Sequence, residues 1–182
     1  MISSAGATAT PDFAYIDGRL ATGLVEISHD LDALDRPGFW IVVATGEGEI
    51  SCARFADVRA APLPVAAWHG PHPRSWTSSM DEAAYVAAVS RVRERIAAGD
   101  VYQVNVCRTL SAPTRERDLV GLAGRLAATH PSRYPALVCL PSAGVHVCSA
   151  SPELFLARDA GTLETPRIKC TAGTASDLTV QE

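Results

Sequence analysis

The chain has 182 residues, 47% of them hydrophobic and 20% charged, with a formal net charge of −4. That is enough apolar sequence to bury a core, and too little charge for a disordered protein. The acidic balance argues against nucleic acid or an anionic membrane as partner. The longest strongly apolar run, Phe39 to Ala44, is far short of a bilayer span, and the first basic residue is Arg19, so a signal peptide is not expected and the expected location is the cytoplasm.

Residues 1–11 read as a frayed start. Strands are predicted at Gly23–Ile27, Phe39–Ala44 and Glu49–Phe55, separated by Arg36-Pro37-Gly38 and Gly46-Glu47-Gly48. Gly46 and Gly48 lack the third glycine and the following helix of a dinucleotide-binding loop. Ala60–Trp76 is a proline-rich connector, and its His69 and His72 read as surface residues.

A helix follows. Ser79 and Glu82 fit a capping box, Tyr85, Val89, Val92 and Ile96 recur at helical spacing, and Gly99 ends the run as a C′ residue. From Asp100 to Cys107, alternation predicts a strand with Tyr102, Val104 and Val106 on one face and Gln103, Asn105 and Cys107 on the other. A second helix is predicted from Asp118 to Thr129 on Leu119, Leu122 and Leu126. Strands at Ala136–Leu140 and Val145–Ser149 come next, joined by Pro141-Ser142-Ala143-Gly144. After a break at Ser151-Pro152-Glu153, a last hairpin pairs Leu154–Ala157 with Thr162–Ile168 around Asp159-Ala160-Gly161. One helix followed by antiparallel strands, used twice, is an α+β pattern. The change of pattern divides the chain into a strand-rich segment, 1–78, and a second segment, 79–182.

The rare residues are more specific than the averages. Of 16 basic residues, 15 are Arg and one is Lys, Lys169; Asn105 is the only Asn, and Gln103 is one of two Gln. Lys supplies what Arg cannot, an amine able to lose its proton and act as nucleophile or base. By frequency alone Lys169 is as readily a surface residue, and its context must decide. Two carboxamides on one strand face read either as a solvent-facing side or as a hydrogen-bonding surface. The five cysteines, Cys52, Cys107, Cys139, Cys148 and Cys170, contain no Cys-x-x-Cys and no zinc spacing, and read as reduced thiols.

Three stretches, in order, resemble one family: Gly99-Asp-Val-Tyr-Gln-Val-Asn105, Ser149-Ala-Ser-Pro-Glu-Leu-Phe-Leu156 and Ile168-Lys-Cys-Thr171. They look like the "GDIYQVNL", "SSPELFL" and "PIKGT" motifs of the chorismate-binding enzymes. That family comprises the aminodeoxychorismate and anthranilate synthases (component I) and the isochorismate and salicylate synthases. His130-Pro-Ser-Arg-Tyr134 is similar to the family's "NPSPY" segment. The resemblance covers about Ser79 to Thr171. It implies the N-terminal portion of the family's fold, antiparallel sheets with helices packed outside.

What the resemblance implies chemically rests on a few positions. Isochorismate and salicylate synthases carry a Lys at the position of Gln103, as base for water, so Gln103 points to the members that add ammonia. Anthranilate synthases carry Ala at the position of Lys169 and aminodeoxychorismate synthases carry Lys, so the resemblance favours the latter. Lys169 would then attack the chorismate ring and Glu153 would protonate the departing 4-hydroxyl. Thr171, Gln103 and Asn105 would bind substrate. Ammonia from a glutamine amidotransferase partner would give 4-amino-4-deoxychorismate, and Mg²⁺ would be the metal. Glu153 is expected in an apolar setting beside Leu154-Phe155-Leu156, which would keep its carboxyl protonated, and Arg167 is a candidate for lowering the Lys169 pKa. Pro131, Ser132 and Tyr134 match one wall of the family's tryptophan pocket but read as shaping a turn. Cys170 stands where the motif has glycine, and Ala172-Gly173-Thr174 where many members have Arg-Pro-Arg. The family's Mg²⁺-binding glutamates lie beyond the position of Glu182, so the chain is expected to be an incomplete synthase. Its rivals are an anthranilate synthase component I and an inactive remnant.

Overall fold

The computed structural model describes residues 10–115, 118–159 and 162–164. Its first strands are β1 (Phe13–Ile16), β2 (Arg19–Ser28), β3 (Phe39–Ala44) and β4 (Ile50–Ala60). β1 and the start of β2 lie outside the predicted strands. The turn between them is Asp17-Gly18, both at positive φ (49° and 72°), the backbone that lets a two-residue hairpin match the strand twist. Gly23 also has positive φ, and the β2–β4 register shifts between Leu24 and Glu26, a bulge that bends the strand.

After the connector come β5 (Thr77–Ser78), α1 (Glu82–Ala97), β6 (Leu110–Ser111), α2 (Asp118–Thr129), β7 (Tyr134–Leu140), β8 (Val145–Ser151), β9 (Ala157–Asp159) and β10 (Thr162–Glu164). The principal sheet is antiparallel, in the order β3-β4-β2-β1-β7-β8, while β5 pairs with β6 and β9 with β10. Strands of both segments, 1–78 and 79–182, share the principal sheet, so the boundary at residue 78 marks a change of sequence pattern rather than of sheet. The architecture is α+β, as the pattern predicts.

The two segments meet where β1 pairs with β7, Phe13 opposite Cys139, Ala14 opposite Val138 and Tyr15 opposite Leu137. Alternation sends these side chains to two cores. On one face Phe13, Tyr15, Leu137 and Cys139 pack with Leu119, Val120 and Ala123 of α2. On the other, Ala14, Ala21, Ile41, Ala53, Phe55, Val138 and Leu140 cluster. The sheet curls, so that Ile41 and Val43 of β3 line one cleft with Val138 and Val147. A fully buried Leu such as Leu137 contributes about 1.5–3 kcal/mol by leaving water.

Several expectations are corrected in the second segment, among them the first strand of the last hairpin, which is Ala157–Asp159 and not Leu154–Ala157. The N-cap of α1 is Asp81, which accepts from Ala84 N at 2.7 Å, and not Ser79. The Ser79 hydroxyl is already engaged: it accepts from Thr109 N at 2.9 Å while Ser79 N donates to Thr109 O at 2.9 Å, prolonging the β5–β6 ladder. Glu82 is thus the first residue of the helix, not the third. Gly99, at φ 80°, does end it. The predicted strand at Asp100–Cys107 is absent, and regular pairing starts only at Leu110. Alternation needs a neighbouring strand to satisfy the backbone, and among the described residues none pairs there. Val101, Val104 and Val106 instead line a groove with Ala88 and Val92 of α1.

α2 is held between β7–β8 and the connector. A Cβ on Gly121 would stand 2.5 Å from Ala67 O and 2.9 Å from Trp68 Cα, whereas one on Gly124 would meet the Val65 side chain at 3.2 Å and backbone no closer than the Val65 Cα at 3.7 Å. Gly121→Ala is therefore expected to destabilise the fold by about 1–3 kcal/mol, since backbone must move. Gly124→Ala should cost less, and paired thermal unfolding curves would measure the difference. Cys148, beside the α2 core, has its thiol pKa raised by burial. The folded chain then holds that proton more tightly than the unfolded chain, so stability falls as pH rises past the ordinary thiol value. Cys148→Ala should flatten this decline in a series of unfolding curves, and iodoacetamide should alkylate exposed Cys107 before Cys148.

Candidate active site

β8 carries the second motif to the edge of the sheet. Pro152 cannot continue a ladder, so the chain turns away after Ser151. Glu153 follows in that turn and is exposed, and its expected apolar setting does not form among the described residues: Phe155 is 92% exposed and Leu156 47%. Apolar neighbours in sequence surround a carboxyl only if another element folds over them, and the turn carries 153–156 off the sheet.

The turn is nevertheless tied down. Tyr134 N donates to Ser132 Oγ at 3.1 Å, and Ser132 Oγ donates to the Ser151 carbonyl, joining residues that face each other in the β7–β8 register. Ser151 Oγ donates to the Glu153 carbonyl at 2.8 Å. The His130–Tyr134 and Ser149–Leu156 motifs are therefore one structural unit, a juxtaposition that sequence order alone does not show. The Arg133 guanidinium lies over the Tyr134 ring, 5.5 Å from its centroid. Behind the hairpin, a cleft of about 110 Å³ runs between α2 and β7–β8, lined by Leu126, His130, Pro131, Ser132, Cys148 and Ser149 among others.

Gln103 and Asn105 sit on the α1–β6 connection and are exposed. Among the described residues no hydrogen bond joins them to the turn bearing Glu153. Lys169 and Thr171, with Arg167 and Cys170, lie outside the described residues. No group of three His, Cys, Asp or Glu side chains among the described residues is placed to hold a metal ion. No helix among them is long and apolar enough to cross a membrane.

A charged cluster that local sequence patterns do not show lies among the first strands. Glu26 accepts from Arg36 Nη1 at 2.7 Å and from Arg54 Nε at 2.5 Å, and Trp40 stands 5.5 and 5.8 Å from the two guanidinium carbons. The register places Arg54 opposite both Glu26 and Trp40, so this cluster binds β2, β3 and β4 together by cross-strand pairing.

Comparison with known proteins places the chain. Residues 41–181 match the family model described as chorismate binding enzyme. Anthranilate synthase component 1 of Streptomyces coelicolor is 39% identical over 119 residues, which is 59% of this chain and 22% of that protein. Two proteins of Haloarcula marismortui, anthranilate synthase component 1 1 and component 1 3, are each 35% identical over 94 residues, covering 52% of this chain and 19% and 18% of their own lengths. The chain thus spans about a fifth of the length of these relatives. No solved structure matches it. Because the family model takes in all but the first 40 and the last of its residues, the chain belongs to the chorismate-binding enzymes.

Proposed function

We propose that this chain carries part of the active site of an enzyme that aminates chorismate, yielding 4-amino-4-deoxychorismate. The observation that carries this reading is Lys169, the chain's single lysine, within Ile168-Lys-Cys-Thr171. Lys169 Nζ forms a bond to the chorismate ring as the ring–oxygen bond to the 4-hydroxyl breaks. Glu153 supplies the proton with which that hydroxyl leaves as water. Ammonia then bonds to the ring as the bond to Nζ breaks, the proton that the added nitrogen sheds returns to the Glu153 carboxylate, and Lys169 is released as the free amine. Gln103 has no basic nitrogen with which to activate water, which supports ammonia as the second nucleophile. Gln103, Asn105 and Thr171 would hydrogen-bond the substrate, and Cys170 would replace the glycine beside the nucleophile.

Ammonia would come from a glutamine amidotransferase subunit, and the working protein would be cytoplasmic and would use Mg²⁺. A second reading, an anthranilate synthase component, is favoured by the names of the three relatives above. The two differ in product. The full chain incubated with chorismate, ammonium and Mg²⁺ is expected to form 4-amino-4-deoxychorismate, resolved by liquid chromatography and mass spectrometry. Lys169→Ala should reduce the rate by a factor of about 100 or more, as expected for loss of a covalent nucleophile. Fluorescent anthranilate as product would establish the second reading, and unconsumed chorismate would overturn both for this chain.

A further inference from the structure

The Ser132 hydroxyl stands in series between two paired backbone groups, accepting from Tyr134 N and donating to the Ser151 carbonyl. It is part-buried at the end of the β7–β8 ladder, where Tyr134 faces Ser151. One step on, Ser151 Oγ donates to the Glu153 carbonyl at 2.8 Å. Pro152, between them, fixes its own φ and keeps Ser151 extended. Ser151 and Glu153 are each held by a hydroxyl, and the residue between them has little torsional freedom. A turn restrained in this way costs little further entropy to hold one direction.

The geometry points to Ser132 and Ser151 as positioning residues that aim the Cα–Cβ bond of Glu153, acting through backbone carbonyls without touching substrate. This rests on the reading of Glu153 as the proton donor. Glu153 is exposed, so among the described residues the backbone is the part of the structure that sets its direction. This positioning also accounts for Ser132 within the His130–Tyr134 motif, where shaping the turn and aiming the carboxyl are one task.

The test has two arms, on the full chain and its Ser132→Ala, Ser132→Thr and Ser151→Ala variants. In the first, NMR reads amide exchange at Tyr134 and ¹⁵N order parameters from Ser151 to Leu154. Ser132→Ala should speed exchange at Tyr134 about tenfold, the size of one lost hydrogen bond, and lower the order parameter of Glu153. Ser132→Thr should restore both, with the β1–β7 amides unchanged throughout. An unaltered Glu153 order parameter in both alanine variants would overturn the inference, whatever the activity. In the second arm, chorismate turnover with ammonium should show kcat lowered about tenfold or more by Ser132→Ala, with KM for chorismate held, as for a misaimed group. The loss should vanish in a Glu153→Gln background, and a loss that persists there would also overturn the inference. If Glu153→Gln itself keeps the full rate, the proton-donor reading fails, while the first arm still decides whether the two hydroxyls hold the turn.

Discussion

The pairing of β1 with β7 joins stretches of chain far apart in sequence, and the rest of the principal sheet hangs on it. β2, β3 and β4 attach to β1 through local turns, and β8 attaches to β7 in the same way, so each set could pair within itself. Only Phe13–Ile16 against Ala136–Cys139 makes them one sheet. Closing so long a loop costs entropy, and the interface offsets it on both faces, with Phe13, Tyr15, Leu137 and Cys139 beneath α2 and Ala14 and Val138 in the opposite core. The Asp12 carboxylate adds a clamp at the end of the pair, accepting from Ser142 N at 3.1 Å and from Ser142 Oγ at 2.6 Å. A small residue at Ala14, with Ala21 beside it, leaves room for the curl that brings β3 over β7 and β8.

That arrangement fixes what the hairpin can present. β7 and β8 are buried or half-buried along their length, so the chain emerging at Ser151 starts from a rigid base. The motif residues Pro152 and Glu153 then stand where the ladder stops. A rigid base with an exposed tip suits a group that must meet a substrate. Phe155 is almost wholly exposed in the same region. α1 is similar: it buries no residue, and Tyr85, Val86 and Ile96 are all exposed.

Legibility in the sequence followed how local each signal was. α2 was readable from Asp118 to Thr129, and the β7–β8 hairpin from its turn, because helical spacing and turn residues act over a few positions. The Asp17-Gly18 turn is an equally local signal for β1, which lies between the start read as frayed, 1–11, and the first predicted strand at Gly23–Ile27. Ser79 fitted a capping box by spacing, but its hydroxyl is spent on Thr109, a partner 30 residues away, and Asp81 takes the cap. At Asp100–Cys107 alternation was present and a neighbouring strand was not. For the site, motif order identified the family, while the tie between Ser132 and Ser151 needed the strand register. The setting of Glu153 is not legible in the sequence because its apolar neighbours in sequence are not its neighbours in space.

The chain belongs to the chorismate-binding enzymes, and in the function proposed for it Lys169 is the residue that separates the two aminations. The most direct test of that role is to incubate the chain with chorismate and Mg²⁺, withhold ammonia, and map the peptides by mass spectrometry. The account predicts that the peptide holding Lys169 gains the mass of chorismate less one water, and that Lys169→Ala abolishes the gain. An amination product formed on adding ammonia, with Lys169 unmodified at every stage, would contradict it.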